Sequence, residues 1–434
     1  MTSPWSTLVE RIHATPHRAV IALTGGGVSG IAELLAVPGG SKTLLEAIVP
    51  YSESSLVDWL GRKPDQFCSE ETALAMAACA YRRALRLIEC QNESAASLGP
   101  LIPDPASPEG GGEKIIGLGC TASLATSRPK RGPHRLFIAT HGASVTTCDS
   151  LVFEKDARTR ADEEIVVGHL LLHVLARSCS IPDADLPPLE LRPGETVVTD
   201  RAEAHPWLAE LCGNNPTRRV VWALPDGSLR EDKSSNSPQR RSLLTPGPSL
   251  PAGARGDGDA SGGNPIGLLS GAFNPLHDGH RELRSVAEAI LGGPVGYEIS
   301  VTNVDKPPLD FITLARRQSQ FTEHLVALTN APTFAEKAAI LPGTTFVVGA
   351  DTAERIVQPR YYDHDPAGMS QALSSIRAHR CRFLVAGRAA RDSFISLADL
   401  AIPPEFADLF SAIPADRFRK DISSTSLRQL ESCE

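Results

Sequence analysis

Residues 270 to 280 read SGAFNPLHDGH and set two histidines, His277 and His280, three positions apart behind a glycine, an asparagine and a proline. The chain holds 12 histidines in 434 residues, so a close pair needs a reason. Phosphate chemistry supplies one. Two imidazoles at the start of a helix can face one pocket and hold phosphate oxygens as charge builds during transfer. No protein nucleophile is needed, because phosphoryl-type transfer rests on positioning and charge stabilisation. Gly271 lets a phosphate approach the backbone closely, and Asn274 and Pro275 shape the turn. Spacing alone leaves a second reading open, in which both histidines simply begin a helix.

A second cluster of the same kind stands near the C-terminus, in DISSTSLR (421 to 428). Ser423, Ser424 and Thr425 offer hydroxyls and helix-capping geometry, and Arg428 offers a charge-fixed fork for the β- and γ-phosphates. By itself this string also fits an ordinary capped helix. Between the two clusters, FVVGAD (346 to 351) is an apolar strand that ends in Gly349 and Asp351. Asp351 could accept hydrogen bonds from a ribose or a base. It could equally cap the following helix, and the two roles are compatible.

The elements that must carry these residues alternate along the chain. PIGLLSG, VGYEISVT, TTFVVGAD and CRFLVAGR read as strands, and GHRELRSVAEAILG reads as a helix, which is the pattern of a parallel sheet. In such sheets ligands bind at the carboxyl ends of strands, where the first histidine cluster falls. The N-terminal part alternates as well. AVIAL, KIIGLGC and RLFIATHG read as strands; SGIAELLAV, 70 to 89 and 161 to 179 read as helices. The whole is therefore read as two α/β domains, the C-terminal one Rossmann-like with a parallel sheet. Residues 1 to 185 form the first domain and 266 to 434 the second. Residues 186 to 224 are an extension of uncertain assignment, with one apolar run, RRVVWAL. Residues 225 to 265 are dense in Gly, Pro, Ser and Asp and read as a flexible linker, since they cannot offset their ordering entropy by burial. PLIPDPASPEGGGEK (100 to 114) reads as a long surface loop.

Composition removes several classes of function. The formal net charge is −8, which argues against a nucleic-acid binder driven by phosphate neutralisation. No apolar run approaches the roughly 20 residues that span a bilayer. The nine cysteines form no C-x-x-C pair, as expected for reduced thiols, and the N-terminus lacks the layout of a signal peptide. Together these predict a cytoplasmic protein without a membrane or nucleic-acid partner. A homo-oligomer is compatible with everything in the sequence.

GAFNPLHDGH resembles the G-x-F-(D/N)-P-x-H-x-G-H signature of the HxGH-motif nucleotidyltransferases, and ISSTSLR resembles their I-S-S-T-x-x-R. The resemblance covers residues 266 to 434 and, through Phe273-Asn274-Pro275 and Gly349-Ala350-Asp351, is nearest the adenylyltransferases of NAD synthesis. It implies adenylyl transfer from ATP, with Mg²⁺, to nicotinate or nicotinamide mononucleotide, giving a dinucleotide and pyrophosphate. It implies roles for His277, His280 and Arg428 in holding charge. It also implies nucleotide contacts from Gly271, Phe273, Asn274, Gly349, Asp351, Ser423, Ser424 and Thr425. Lys306, after the second strand, is a candidate for substrate phosphate or a solvated lysine, and Arg388 ends FLVAGR as in the nicotinate-nucleotide enzymes. The usual base-stacking tryptophan is missing, which leaves Tyr361 or Tyr362 for that place and leaves the acceptor and the choice of ATP or CTP open. Transfer to another phosphorylated acceptor and non-catalytic nucleotide sensing are the alternatives.

ALTGGGVSGIAELLAVPGGSKTLLEAIVPYS and the helix beginning RTRADEE resemble the C-terminal domain of the CinA family, whose active members deamidate nicotinamide mononucleotide. The resemblance covers about 15 to 180 and implies a pocket at Thr24, Gly25, Gly26, Ser41 and Tyr51. The pattern is eroded: Ile21-Ala22-Leu23 stands where the family has Glu-Ser-Cys, and Leu56 stands where a lysine is expected. Thr121, Ser123, Thr126, Ser127, Arg128, Lys130 and Arg131 line a stretch that suits an anion-binding loop or a plain solvated one. A hydroxyl without a base stays weakly nucleophilic. The first domain is therefore expected to bind a nucleotide-like ligand without hydrolysing an amide.

Overall fold

The computed structural model describes residues 3–97, 114–127, 131–213, 216–231, 264–303, 306–362, 364–390 and 393–419. The chain folds as two α/β units. Unit 1 takes Met1–Arg218 together with Val301–Arg316; unit 2 takes Arg219–Ser300 and Arg317–Glu434.

Unit 1 runs α1 (Pro4–His13), β1 (His17–Thr24), α2 (Val28–Ala36), α3 (Gly40–Thr43), β2 (Leu44–Ile48), α4 (Glu53–Leu60), α5 (Glu70–Ser97), β3 (Lys114–Ser123), β4 (Arg135–His141), β5 (Val145–Val152), α6 (Arg160–Ser178), β6 (Val198–Glu203) and α7 (Pro206–Leu211). Its sheet has the order β2-β1-β3-β4-β5-β6, with β2, β1 and β3 parallel and β3 to β6 antiparallel. Ala73, Ala77, Ala80 and Ala84 of α5 are fully buried and recur at helical spacing. Such small side chains let the helix lie close on the sheet. On α6 the stripe Val166, Val167, Leu170, Leu171, Val174 and Leu175 enters the main core with Leu23, Leu118 and Ile138.

The last piece of unit 1 comes from much later in the sequence. Phe311 and Ile312, on α9 (Phe311–Gln318), are buried, and Ile312 packs with Ala73, Leu74 and Ala139. The Phe311 N–H donates to Thr146 Oγ1 at 3.1 Å, and Arg316 pairs with Glu70 at 2.8 Å and Asp200 at 2.6 Å. The sequence reading kept 266 to 434 in one domain. The segment 301–316 departs from it because its apolar pair finds its buried neighbours in unit 1.

Unit 2 contains β7 (Val220–Ala223), β8 (Leu229–Glu231), β9 (Gly267–Ser270), α8 (Asp278–Leu291), β10 (Val295–Ser300), the end of α9, β11 (Val326–Thr329), α10 (Phe334–Ile340), β12 (Thr345–Gly349), α11 (Ala350–Ile356), α12 (Pro366–Ala378), β13 (Arg382–Ala386), β14 (Arg388–Ala390), β15 (Ser393–Ile395) and β16 (Phe410–Ala412). The main sheet has the order β16-β13-β12-β9-β10-β11-β7-β8. From β16 to β11 all pairs are parallel, and β7 and β8 add an antiparallel edge. Numbered along the chain, the six parallel strands lie 3-2-1-4-5-6, the doubly wound order. The central strands are buried because both faces are covered; β12 and β13 are apolar runs, while β10 carries the buried Glu298, paired with Lys337 at 2.8 Å.

The apolar run RRVVWAL thus belongs to the sheet of unit 2, with Trp222 1% exposed. The stretch read as a linker begins with the edge strand β8. Of the rest of that stretch, 232–263 lies outside the described residues, as does the loop 98–113. Among the described residues no helix is long and apolar enough to cross a membrane, and no disulfide joins two of the cysteines.

Candidate functional site

In the sheet of unit 2 the strand order reverses between β9 and β12, and the crevice outside their carboxyl ends is where such sheets take ligands. The HxGH string fills that position. The chain leaves β9 at Ser270, and the Gly271 N–H donates to the Glu298 carbonyl at 3.1 Å. A Cβ on Gly271 would lie 2.8 Å from the Phe273 ring, so only glycine fits there. Phe273 has φ +45°, in the left-handed region that a bulky side chain rarely adopts, and the Asn274–Pro275 peptide is cis. The ring of Phe273 is buried, edge-on to Tyr297 (5.2 Å), Phe321 (5.4 Å) and His280 (5.0 Å). This aromatic platform is what holds the backbone in so unusual a place.

His277 is the N-cap of α8 and His280 lies in its first turn. Their rings stack with centroids 3.7 Å apart. The His277 N–H donates to His280 Nδ1 at 3.3 Å. Burial, then the neighbouring His277 and Arg281, bring the His280 pKa down to about 4. His280 is thus neutral near pH 7. Its Nδ1 accepts, so the proton sits on Nε2, which is a donor.

At the end of β12, Gly349 is the N-cap of α11 and Asp351 lies in the first turn, so the capping role considered for Asp351 falls to Gly349. Arg388, just beyond β13, reaches Asp351 Oδ2 at 3.4 Å across an exposed pair. The fold thus brings Gly271, Phe273, Asn274, His277, His280, Gly349, Asp351 and Arg388 to the carboxyl end of one sheet. Ser423, Ser424, Thr425 and Arg428 lie outside the described residues. Lys306 is exposed and belongs to the segment that folds with unit 1. The Tyr362 hydroxyl donates to the Ile356 carbonyl and its ring packs on the core, while Arg360 lies over Tyr361.

Unit 1 carries a cleft of about 440 Å³, lined by Thr24, Gly25, Gly26, Tyr51, Arg160 and Glu164 over the apolar Leu23, Val28 and Val49. Gly25 has φ +83°, and a Cβ there would lie 1.9 Å from the Ala122 carbonyl oxygen. The first turn of α2 has its own anion. Glu164 of α6 accepts the N–H of Gly27 at 2.9 Å and of Ser29 at 3.1 Å. Arg160 donates to the carbonyls of Gly25 (2.9 Å) and Ala125 (3.3 Å). Glu163, fully buried, accepts the Ala125 N–H at 2.6 Å and lies 2.7 Å from His134 Nδ1. Three charged residues in one turn of α6 therefore fasten the loops after β1 and β3.

Thr24, Gly25, Gly26 and Tyr51 are thus brought together, while Ser41 is exposed on α3 and is not among the lining residues. Leu56 is buried against Ala22, Leu60 and Met76. Arg128 and Lys130 lie outside the described residues. Arg160 and Glu164 were not singled out in the sequence, where 161 to 179 read only as a helix. Their only signal was a basic and an acidic residue four apart at a helix start.

No family model matches the chain, and no curated protein matches it. Among solved structures, the crystal structure of competence/damage inducible protein CihA from Agrobacterium tumefaciens aligns at 15% identity over 43% of this chain and 97% of its own, with a TM-score of 0.28.

Proposed function

We propose that unit 2 is a nucleotidyltransferase that moves an adenylyl group from ATP to a pyridine mononucleotide. The observation that carries the reading is the place of the HxGH turn: it leaves the first strand of a 3-2-1-4-5-6 sheet at the point where the order reverses. A phosphate oxygen of the acceptor attacks the α-phosphorus in line. The bond from that phosphorus to the bridging oxygen breaks, and pyrophosphate leaves. The neutral His280 donates from Nε2 to an oxygen that gains charge, and the start of α8 adds its dipole. Asp351 and Arg388 stand at the neighbouring strand ends, suited to a ribose and an anion. Among the described residues no group of three or more His, Cys, Asp or Glu could cage a metal. Mg²⁺ would arrive with the phosphates of ATP and be held by them. When bound, the ion neutralises phosphate charge.

The test is direct. Full-length protein is incubated with ATP, Mg²⁺ and a panel of phosphorylated acceptors, and pyrophosphate and product are measured. Pyrophosphate with a dinucleotide product from nicotinate or nicotinamide mononucleotide is the expected result. Turnover with a different acceptor only would move the reading to another nucleotidyltransferase. ATP binding without pyrophosphate would make unit 2 a sensor.

For unit 1, the cleft favours binding over amide hydrolysis. Ser41 stands apart from the lining, and the place where the CinA resemblance expects a lysine is core leucine. Ammonia release from nicotinamide mononucleotide at background level, alongside ligand-dependent thermal stabilisation, is the expected result.

A further inference from the structure

We propose that Gln320 is a positioning residue for the two-histidine turn, its carboxamide clamping both ends of the loop from Phe273 to Leu276 and so fixing where His277 and His280 stand. The inference rests on the nucleotidyl-transfer reading for its kinetic arm alone. The Leu276 N–H donates to Gln320 Oε1 at 2.7 Å. Gln320 Nε2 donates to the Phe273 carbonyl at 3.1 Å and to the Arg317 carbonyl at 3.3 Å. All three contacts agree on which end of the amide is oxygen: a flipped carboxamide would face an N–H with NH₂ and two carbonyls with oxygen. The next residue, Phe321, packs its ring on Phe273 and on Tyr297 (4.7 Å), which anchors the clamp from below.

The loop needs such a brace. Phe273 sits at positive φ, and the residue after Leu276 is the N-cap whose N–H engages His280. The ring contacts of Phe273 hold one end of the turn, and Gln320 adds hydrogen bonds to the backbone at both ends. A relaxation of about 1 Å at a catalytic group costs roughly 10²-fold in rate. Gln320 touches no reacting atom, so its effect passes through the histidines.

The experiment compares Gln320→Ala and Gln320→Glu with the wild type, all as the full chain. Glutamate keeps the size and packing but sets an oxygen against two carbonyls, so it separates hydrogen bonding from shape. Both variants are expected to lose roughly 10- to 100-fold in kcat for pyrophosphate release, with KM for ATP within about threefold. Both should also show faster hydrogen exchange in the peptide covering 271 to 283, and His280 titrating closer to the ordinary histidine range by NMR. Wild-type exchange and titration in Gln320→Ala, or a Gln320→Glu protein indistinguishable from wild type, would overturn the proposal. If the wild type itself releases no pyrophosphate, the functional reading falls, and the exchange and titration measurements still decide on the clamp.

Discussion

His277 and His280 stack face to face, and the backbone N–H of the first donates to Nδ1 of the second. The backbone contact fixes the tautomer of His280, and the stacking places the two rings side by side. Protonation of His280 at Nδ1 would set a ring N–H against a backbone N–H, which adds a local reason for the low pKa that burial already produces.

Removing either ring should slow pyrophosphate release. His277→Ala or His280→Ala is expected to lower kcat by about 10²-fold or more, the usual cost of one lost transition-state donor. Far-ultraviolet circular dichroism should stay unchanged. A double variant with full activity would refute the assigned site.

Acid should weaken the fold in a defined window. Burial brings His141, His173 and His280 down to about 4, the last two also under the influence of neighbouring charges. Each folded-state pKa lies below the unfolded value near 6.5, so the unfolded chain binds more protons between the two. Their contribution is complete above about pH 6.5 and is lost as pH falls toward 4. Thermal unfolding followed from pH 8 to pH 4 should show a steepening loss of Tm over that interval, and His141→Gln should flatten part of it.

Phe311 should matter to unit 1 although it lies in the C-terminal half of the sequence. Its side chain is 3% exposed, with its ring 4.8 Å from His141, so Phe311→Ala is expected to cost about 3–5 kcal/mol. Urea unfolding followed by hydrogen exchange should locate the loss in peptides from α5, β4 and β5. A loss confined to unit 2 would contradict the partition of the chain.

Glu164 should compete with any anion that approaches the first turn of α2. Glu164→Gln keeps the size and removes the charge. Inorganic phosphate is expected to raise the Tm of that variant more than that of the wild type, measured by differential scanning fluorimetry. Equal shifts in both proteins would show that anions bind elsewhere.

Much of this was legible in the sequence for a physical reason. Fully buried parallel strands are written as apolar runs, and FVV and FLV were found as such; VVWA was noted only as an apolar run, and it pairs antiparallel with β11. The turn from Gly271 to His280 was legible because GAFNPLHDGH resembles the HxGH signature; its spacing alone left an ordinary helix start open. Three things were not legible. Glu163 and Glu164 act through loops more than 130 positions away in the case of Gly27, and nothing local marks such a partner. Gln320 is one glutamine among polar neighbours, and its role exists only once the loop from Phe273 to Leu276 has folded beside it. The affiliation of 301–316 depends on which unit offers a buried site for Phe311 and Ile312, a tertiary choice that periodicity cannot register.

The membership of 301–316 in unit 1 also sets an order of assembly. During synthesis the N-terminal unit lacks one of its packing pieces until residue 316 has emerged, after β7, β9, α8 and β10 of unit 2 have already been made. Until then Thr146 has no Phe311 N–H to accept and the apolar surface around Ala73, Leu74 and Ala139 stays open. Unit 1 therefore receives its last packing piece only after much of unit 2 has been made. The chain's two units are interleaved in time as well as in sequence.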